Sequence, residues 1–129
     1  MHLRIEDFSL EPTPSVTFRF TVTLEMSNIN KTMHGGCAIT LVDELTTILL
    51  AAMSKPGLYS RYGVSKGLRT SFLRPIARGA EVRAVCELTY MGEKQAFLQT
   101  RMFEVDGGRL CLLAEHEKVN TDSQAQAKL

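Results

Sequence analysis

Residues 35–54, GGCAITLVDELTTILLAAMS, constrain the fold of this chain more than any other stretch. Ala38, Leu41, Leu45, Leu49, Leu50, Ala51, Ala52 and Met53 are good helix formers, and Pro56-Gly57 ends the run. Ile39, Leu41, Val42, Leu45, Ile48 and Leu49 sweep round the helical axis, so no broad polar face remains. Such a helix is expected to be buried on all sides. Its few polar residues, Asp43, Glu44, Thr46 and Thr47, then each need an explanation.

Elsewhere the period is two. Val16, Phe18, Phe20, Val22, Leu24 and Met26 alternate with Thr17, Arg19, Thr21, Thr23 and Glu25, predicting one long strand over 16–26 with one covered face. After a loop at 28–32 and the helix, strands are expected over 64–73, 80–91, 94–105 and from Leu110 through His116. Gly92-Glu93 and Asp106-Gly107-Gly108 supply turns. One strand, one helix and four strands joined mainly by hairpins describe an antiparallel meander whose apolar face only that helix can cover. The class is therefore α+β, a curved antiparallel sheet wrapped around one long buried helix. The 129 residues fit a single domain with its core over about 15–120 and a flexible polar tail over 121–129.

Composition bounds the function. Fifteen Lys plus Arg against 14 Asp plus Glu give a formal charge of +1, with no electrostatic basis for a nucleic acid or anionic membrane partner. No apolar stretch reaches the ~20 residues of a membrane span. The N-terminal residues resemble neither a signal peptide nor an Arg-rich presequence, so a cytoplasmic location is expected, with a mitochondrial one left open. Cys37, Cys86 and Cys111 are odd in number and set in apolar sequence, which reads as reduced core thiols. With His34 and His116 they form no metal-ligand spacing, and no metal or separate cofactor is expected.

Two motifs compete for chemistry. Gly63-Val64-Ser65-Lys66-Gly67 matches GxSxG, but a nucleophile elbow needs a helix after the Ser, and Leu68 to Leu73 are strand-like. The other is NINKTMHGGCAITLVDE, 28–44. His34-Gly35-Gly36 opens the helix, where N–H groups lack intrahelical partners and the dipole is positive. Glycine lets a ligand approach that backbone, a place to polarise a carbonyl and hold an oxyanion at roughly 3 kcal/mol per donor. Asp43 sits in an apolar run, either as a carboxylate bonded to Thr46 or Thr47 or as a reacting group. Eight residues of helix separate it from Gly35 by ~12 Å, so one chain cannot bring both to one carbonyl. Two antiparallel copies can.

These residues resemble the hotdog-fold acyl-CoA thioesterases of the phenylacetic-acid-degradation type, particularly the acyl-CoA thioesterase 13 branch. The resemblance rests on Asn28, His34-Gly35-Gly36, Asp43 and the block from Gly63-Val64-Ser65 to Leu73-Arg74-Pro75, and spans about 16–120. It implies a homodimer with shared active sites, two dimers forming a tetramer, and hydrolysis of an acyl-CoA to CoA and a carboxylic acid. Coenzyme A enters only as part of the substrate.

By the same resemblance, Gly35 supplies the N–H that polarises the carbonyl, and His34 orients the site or bonds near the leaving thiolate. Asp43 of the partner subunit activates water or attacks directly. Asn28 positions the water, and Ser65 bonds the water or Asp43. Gly36, Arg69, Arg74 and Arg78 are candidate substrate-binding residues, the arginines for CoA phosphates. Leu45, Leu49 and Tyr59 are candidates for acyl-pocket depth. The chain departs from the family in having only about a dozen residues before its first expected strand, where members usually have a helix, and in Glu44, an ion-pair partner or a second carboxylate. The same fold also serves dehydratases, hydratases and polyketide-processing enzymes, and a non-catalytic acyl-CoA-binding dimer is a third reading.

Overall fold

A computed structural model describes residues 1–122. Its elements are β1 (Arg4–Ser9), β2 (Ser15–Thr21), α1 (Gly35–Ala52), β3 (Val64–Phe72), β4 (Glu81–Met91), β5 (Gln95–Glu104) and β6 (Leu110–Val119). One six-stranded sheet runs in the order β1-β2-β4-β5-β6-β3, with every neighbouring pair antiparallel. It curves around α1, which packs across β4, β5 and β6.

The period-two pattern works as expected in β2. Val16, Phe18 and Phe20 are buried opposite Cys86, Ala84 and Val82 of β4. The strand nonetheless stops at Thr21, although its alternation continues to Met26. Its partner β4 begins at Glu81, opposite Thr21, so the ladder ends there. Turn bonds from Met26 N–H to the Thr23 carbonyl and from Ser27 N–H to that of Leu24 then bend the chain. Leu24 is left exposed.

Strand β1 was not expected. Its residues are mostly exposed, and a register shift between Ile5 and Asp7 breaks the alternation that would betray a strand. The expected meander is also corrected. Strand β3 pairs with β6 rather than β4 and forms one edge of the sheet. The chain cannot turn back at Phe72, because Leu73 and Arg74 are held by the Cys111 carbonyl and the connection to β4 crosses away.

Helix α1 is buried through Ala38, Leu41, Val42, Leu45, Thr46, Leu49 and Leu50. It is not buried all round: Gly36, Ile39, Thr40, Glu44 and Ile48 form an exposed stripe. By length and apolarity the helix would also qualify as a membrane span, but its apolar face is the cover of the sheet.

The polar end of the chain is anchored further than expected. Asn120 is buried, its Oδ1 accepting from the Tyr59 and Asp122 N–H groups and its Nδ2 donating to the Gly57 and Glu93 carbonyls. Asp122 accepts from the Ser60 N–H and hydroxyl. These bonds tie β6 to the loop after α1. The rest of the expected tail, 123–129, lies outside the described residues.

Candidate active site

His34 is the N-cap of α1, with extended backbone (φ −63°, ψ 133°), and its Nδ1 accepts from the Gly36 N–H at 3.0 Å. It is exposed, not a core histidine. The Gly36 N–H is therefore already used, which removes it as a free donor to substrate. Among the described residues the Gly35 N–H donates to nothing. A Cβ at Gly35 would meet the Phe72 ring at 3.5 Å, so Phe72 stands over the start of the helix. A cleft of about 360 Å³ opens there between Thr32, Gly35, Phe72, Arg74, Ile76 and Leu112.

Asn28 lies in the loop leading to this point. Its Oδ1 accepts from the Asn30 N–H, the Thr32 N–H and the Thr32 hydroxyl at 3.0–3.2 Å, the local bonding that asparagine favours in turns. With the oxygen committed, the side chain has only its Nδ2 donors to offer.

Two turns along α1, the Asp43 side chain is 47% exposed and reaches Ser65 Oγ at 3.5 Å and His116 Nε2 at 3.7 Å. The carboxylate bonds neither Thr46 nor Thr47. Those hydroxyls take backbone oxygens instead: Thr47 donates to the Asp43 carbonyl at 2.7 Å and Thr46 to that of Val42 at 2.7 Å. Ser65 stands on β3 just before a bulge, where Ser65 opposes Lys118 and Gly67 opposes Glu117, leaving Lys66 as the extra residue. The GxSxG match is thus part of a strand and no elbow.

Two residues of β6 complete this cluster. His116 is buried, with Nε2 at 2.7 Å from Ser65 Oγ and Nδ1 at 2.7 Å from Thr46 Oγ1. Burial pushes its pKa below the usual 6.5, assisted by Lys118 and opposed by Asp43. Lys118, also buried, donates from Nζ to Thr47 Oγ1 at 2.8 Å. Its pKa is lowered by burial, while Asp43 and Glu44 pull the other way. Sequence reading left His116 at the margin and missed Lys118. The signal was present: both share parity with the buried Leu112 and Ala114, which places an imidazole and an ammonium on the sheet's inner face.

Asn28, His34 and Gly35 thus gather at the head of α1, with Arg74 on the rim of the cleft. Asp43 and Ser65 gather with His116 farther along the helix. Arg78 lies beside the Asn28 loop, its N–H donating to the Lys31 carbonyl. Arg69 is not brought to either group. It opposes Glu115 on β6, on the sheet face turned away from His116 and α1. Leu45, Leu49 and Tyr59 are core residues at 0–1% exposure. Tyr59 donates to the Gly92 carbonyl, and burial pushes its hydroxyl to about 12. Glu44 is exposed and forms no ion pair among the described residues.

The family model of the thioesterase superfamily matches residues 30–111, which include the helix start, Asp43, Ser65 and most of the sheet. Mouse acyl-coenzyme A thioesterase 13 is 27% identical over 97 residues, covering 74% of this chain and 66% of that protein, just under two thirds of its length. Zebrafish thioesterase superfamily member 2 superposes with a TM-score of 0.81 at 21% identity, over 92% of this chain and 80% of that one. A Streptococcus pneumoniae hypothetical thioesterase, solved with coenzyme A, gives 0.79 at 18% identity over 93% and 89%. A Thermus thermophilus phenylacetic acid degradation protein gives 0.74 at 17% over 92% of each chain. The solved structures carry the hotdog architecture, and the family match extends over well more than half of the chain. This chain belongs to the thioesterase superfamily.

Proposed function

We propose that the protein is an acyl-CoA thioesterase that works as a dimer, with each active site built from both subunits. The observation that carries this reading is the division of the site along one helix. An unpaired Gly35 N–H faces the cleft at one end, and a half-exposed Asp43 carboxylate stands ~12 Å away beside Ser65. A second, antiparallel copy of α1 would bring the partner's carboxylate to the first copy's Gly35. The exposed stripe of Ile39, Glu44 and Ile48 and the free edge of β3 are surfaces suited to that pairing. Two such dimers would make the tetramer that the resemblance implies.

The chemistry then follows from the groups present. The thioester carbonyl lies against the Gly35 N–H, with an Asn28 Nδ2 donor nearby, and the dipole of α1 favours negative charge at that oxygen. Water held by Asp43 and Ser65 loses a proton to the carboxylate as its oxygen attacks the carbonyl carbon. The tetrahedral oxyanion is held by the same N–H, and its collapse expels the CoA thiolate and leaves a carboxylic acid. His34 keeps the helix start in shape by occupying the Gly36 N–H. Arg74 on the rim of the cleft and Arg78 beside the Asn28 loop would meet CoA phosphates in this reading, and Arg69, on the opposite sheet face, would not.

Thiol release from short, long and aromatic acyl-CoAs, followed with a thiol reagent, tests the activity. Asp43→Asn should lower kcat by roughly 10²–10⁴-fold, the range for losing a positioned base. Turnover within a few-fold of wild type would remove Asp43 from the chemistry. The contact of Ser65 Oγ with His116 Nε2 favours one other reading, a Ser65 nucleophile with His116 as base. Against it, the His116 Nδ1 is bonded to Thr46 rather than to a carboxylate, so no acid supports an imidazolium through that nitrogen. A trapped acyl-Ser65 in rapid-quench mass spectra would favour the nucleophile.

A further inference from the structure

We propose that His116 is a positioning residue that sets the direction of the Ser65 hydroxyl. Held by Thr46 as the Nδ1–H tautomer, it accepts the hydrogen bond of the Ser65 hydroxyl at Nε2, and Ser65 then presents lone pairs rather than a donor beside Asp43. The consequence for turnover rests on the thioesterase reading above, whereas the tautomer itself does not.

The carbonyl oxygens of Val42 and Asp43 can only accept. Thr46 Oγ1 lies 2.7 Å from the Val42 carbonyl oxygen and 3.2 Å from that of Asp43, in a fully buried position. The single hydroxyl hydrogen must point at those oxygens, since a lone pair at 2.7 Å from a buried carbonyl would be repelled. The contact of 2.7 Å between Thr46 Oγ1 and His116 Nδ1 then needs its hydrogen from the ring. A neutral imidazole with Nδ1 protonated has a bare Nε2, which accepts from Ser65 at 2.7 Å. Ser65 has only one hydrogen. Once given to His116, it cannot also serve Asp43 Oδ1 at 3.5 Å. A water at the site can therefore donate one proton to Asp43 and the other to a Ser65 lone pair, which fixes its oxygen for attack.

The charged groups acting on His116 are Asp43 from α1 and Lys118 from its own strand. β3 contributes the uncharged Ser65 and Leu68, and β5 contributes Leu98. Burial together with Lys118 disfavours the imidazolium. When the ring is protonated, Nε2 becomes a donor. The Ser65 hydrogen is then free to turn to Asp43, occupying the base. One protonation reverses the polarity of the cluster, and activity falls with pH through the His116 titration.

Long-range 1H–15N correlation spectra of the labelled 129-residue chain at pH 8 read the tautomer directly. Only three histidines are present, so His116→Asn identifies the signal by its loss, and Ser65→Ala identifies it independently by moving the Nε2 resonance. The expected result is a protonated Nδ1 and a bare Nε2. A protonated Nε2 at pH 8, alone or with Nδ1, overturns the proposal whether or not the protein hydrolyses thioesters. On activity, His116→Asn should cost roughly 10–100-fold in kcat, with Ser65→Ala adding nothing further. His116→Gln, which can still accept from Ser65, should recover most of the rate and lose the acid limb. Fully additive losses from the two single changes, or an unmoved pH profile in His116→Gln, would contradict it.

Discussion

Gly35 and Gly36 are neighbours with opposite duties, and His34 separates them. By accepting the Gly36 N–H, the His34 ring caps the helix and leaves Gly35 as the donor that faces the cleft. That difference permits a clean deletion. Gly35 is the first residue of α1, and the residue before it already has the extended backbone that precedes proline comfortably. Gly35→Pro should keep the helix, hold the melting temperature near that of wild type, and lower kcat by roughly 10²–10³-fold. Circular dichroism and thiol release measure the two halves; full activity with an intact helix would remove the backbone donor from the mechanism. At this scale Gly35 and Asp43 could be related from the chain alone because both lie on one helix, whose rise fixes their separation, whereas Ser65 was assigned to the site only through the family resemblance. His116 was less legible, since its partners Ser65 and Thr46 lie 51 and 70 residues away and meet it only once β3 pairs with β6 and α1 packs on the sheet.

At the scale of elements, α1 was read with nearly its observed bounds, because Gly35 and Pro56 flank a run of strong helix formers. Its all-round apolarity misled in one respect. A single sheet covers one side of it, and the stripe through Ile39 and Ile48 is left exposed in one chain. The strand order misled as well, since alternation reveals which residues face inward but not which strand lies next to which. Ile48→Glu places a charge at the far end of that stripe, one turn from Glu44. If the proposed dimer forms there, the change should yield monomers that retain their secondary structure but lose turnover; an unchanged mass by light scattering would place the interface elsewhere. The Asn120 clamp is likewise invisible to local reading, because polar residues near a chain end ordinarily read as frayed. Of its four bonds, those to Gly57 and Tyr59 tie the end of β6 to the loop after α1, and that to Glu93 ties it to the β4–β5 turn. Asn120→Ala should cost roughly 2–4 kcal/mol in urea unfolding, since it leaves buried backbone groups unpaired. A loss below about 0.5 kcal/mol, the size of a surface change, would contradict that role.

For the molecule as a whole, the small size of the chain and the divided site express one fact: a single helix on a single sheet offers an oxyanion donor and a base too far apart to meet. In the proposed dimer, pairing two chains about a twofold axis would turn this into two complete sites, each using Gly35 of one subunit and Asp43 of the other. The most direct test mixes two inactive proteins, Gly35→Pro and Asp43→Asn, under conditions that exchange subunits. Every mixed dimer then holds one site with both defects and one with neither. Random exchange should restore about a quarter of wild-type activity, half the dimers being mixed and each having one intact site. Mixed dimers verified by mass that remain as inactive as their parents would contradict the shared site.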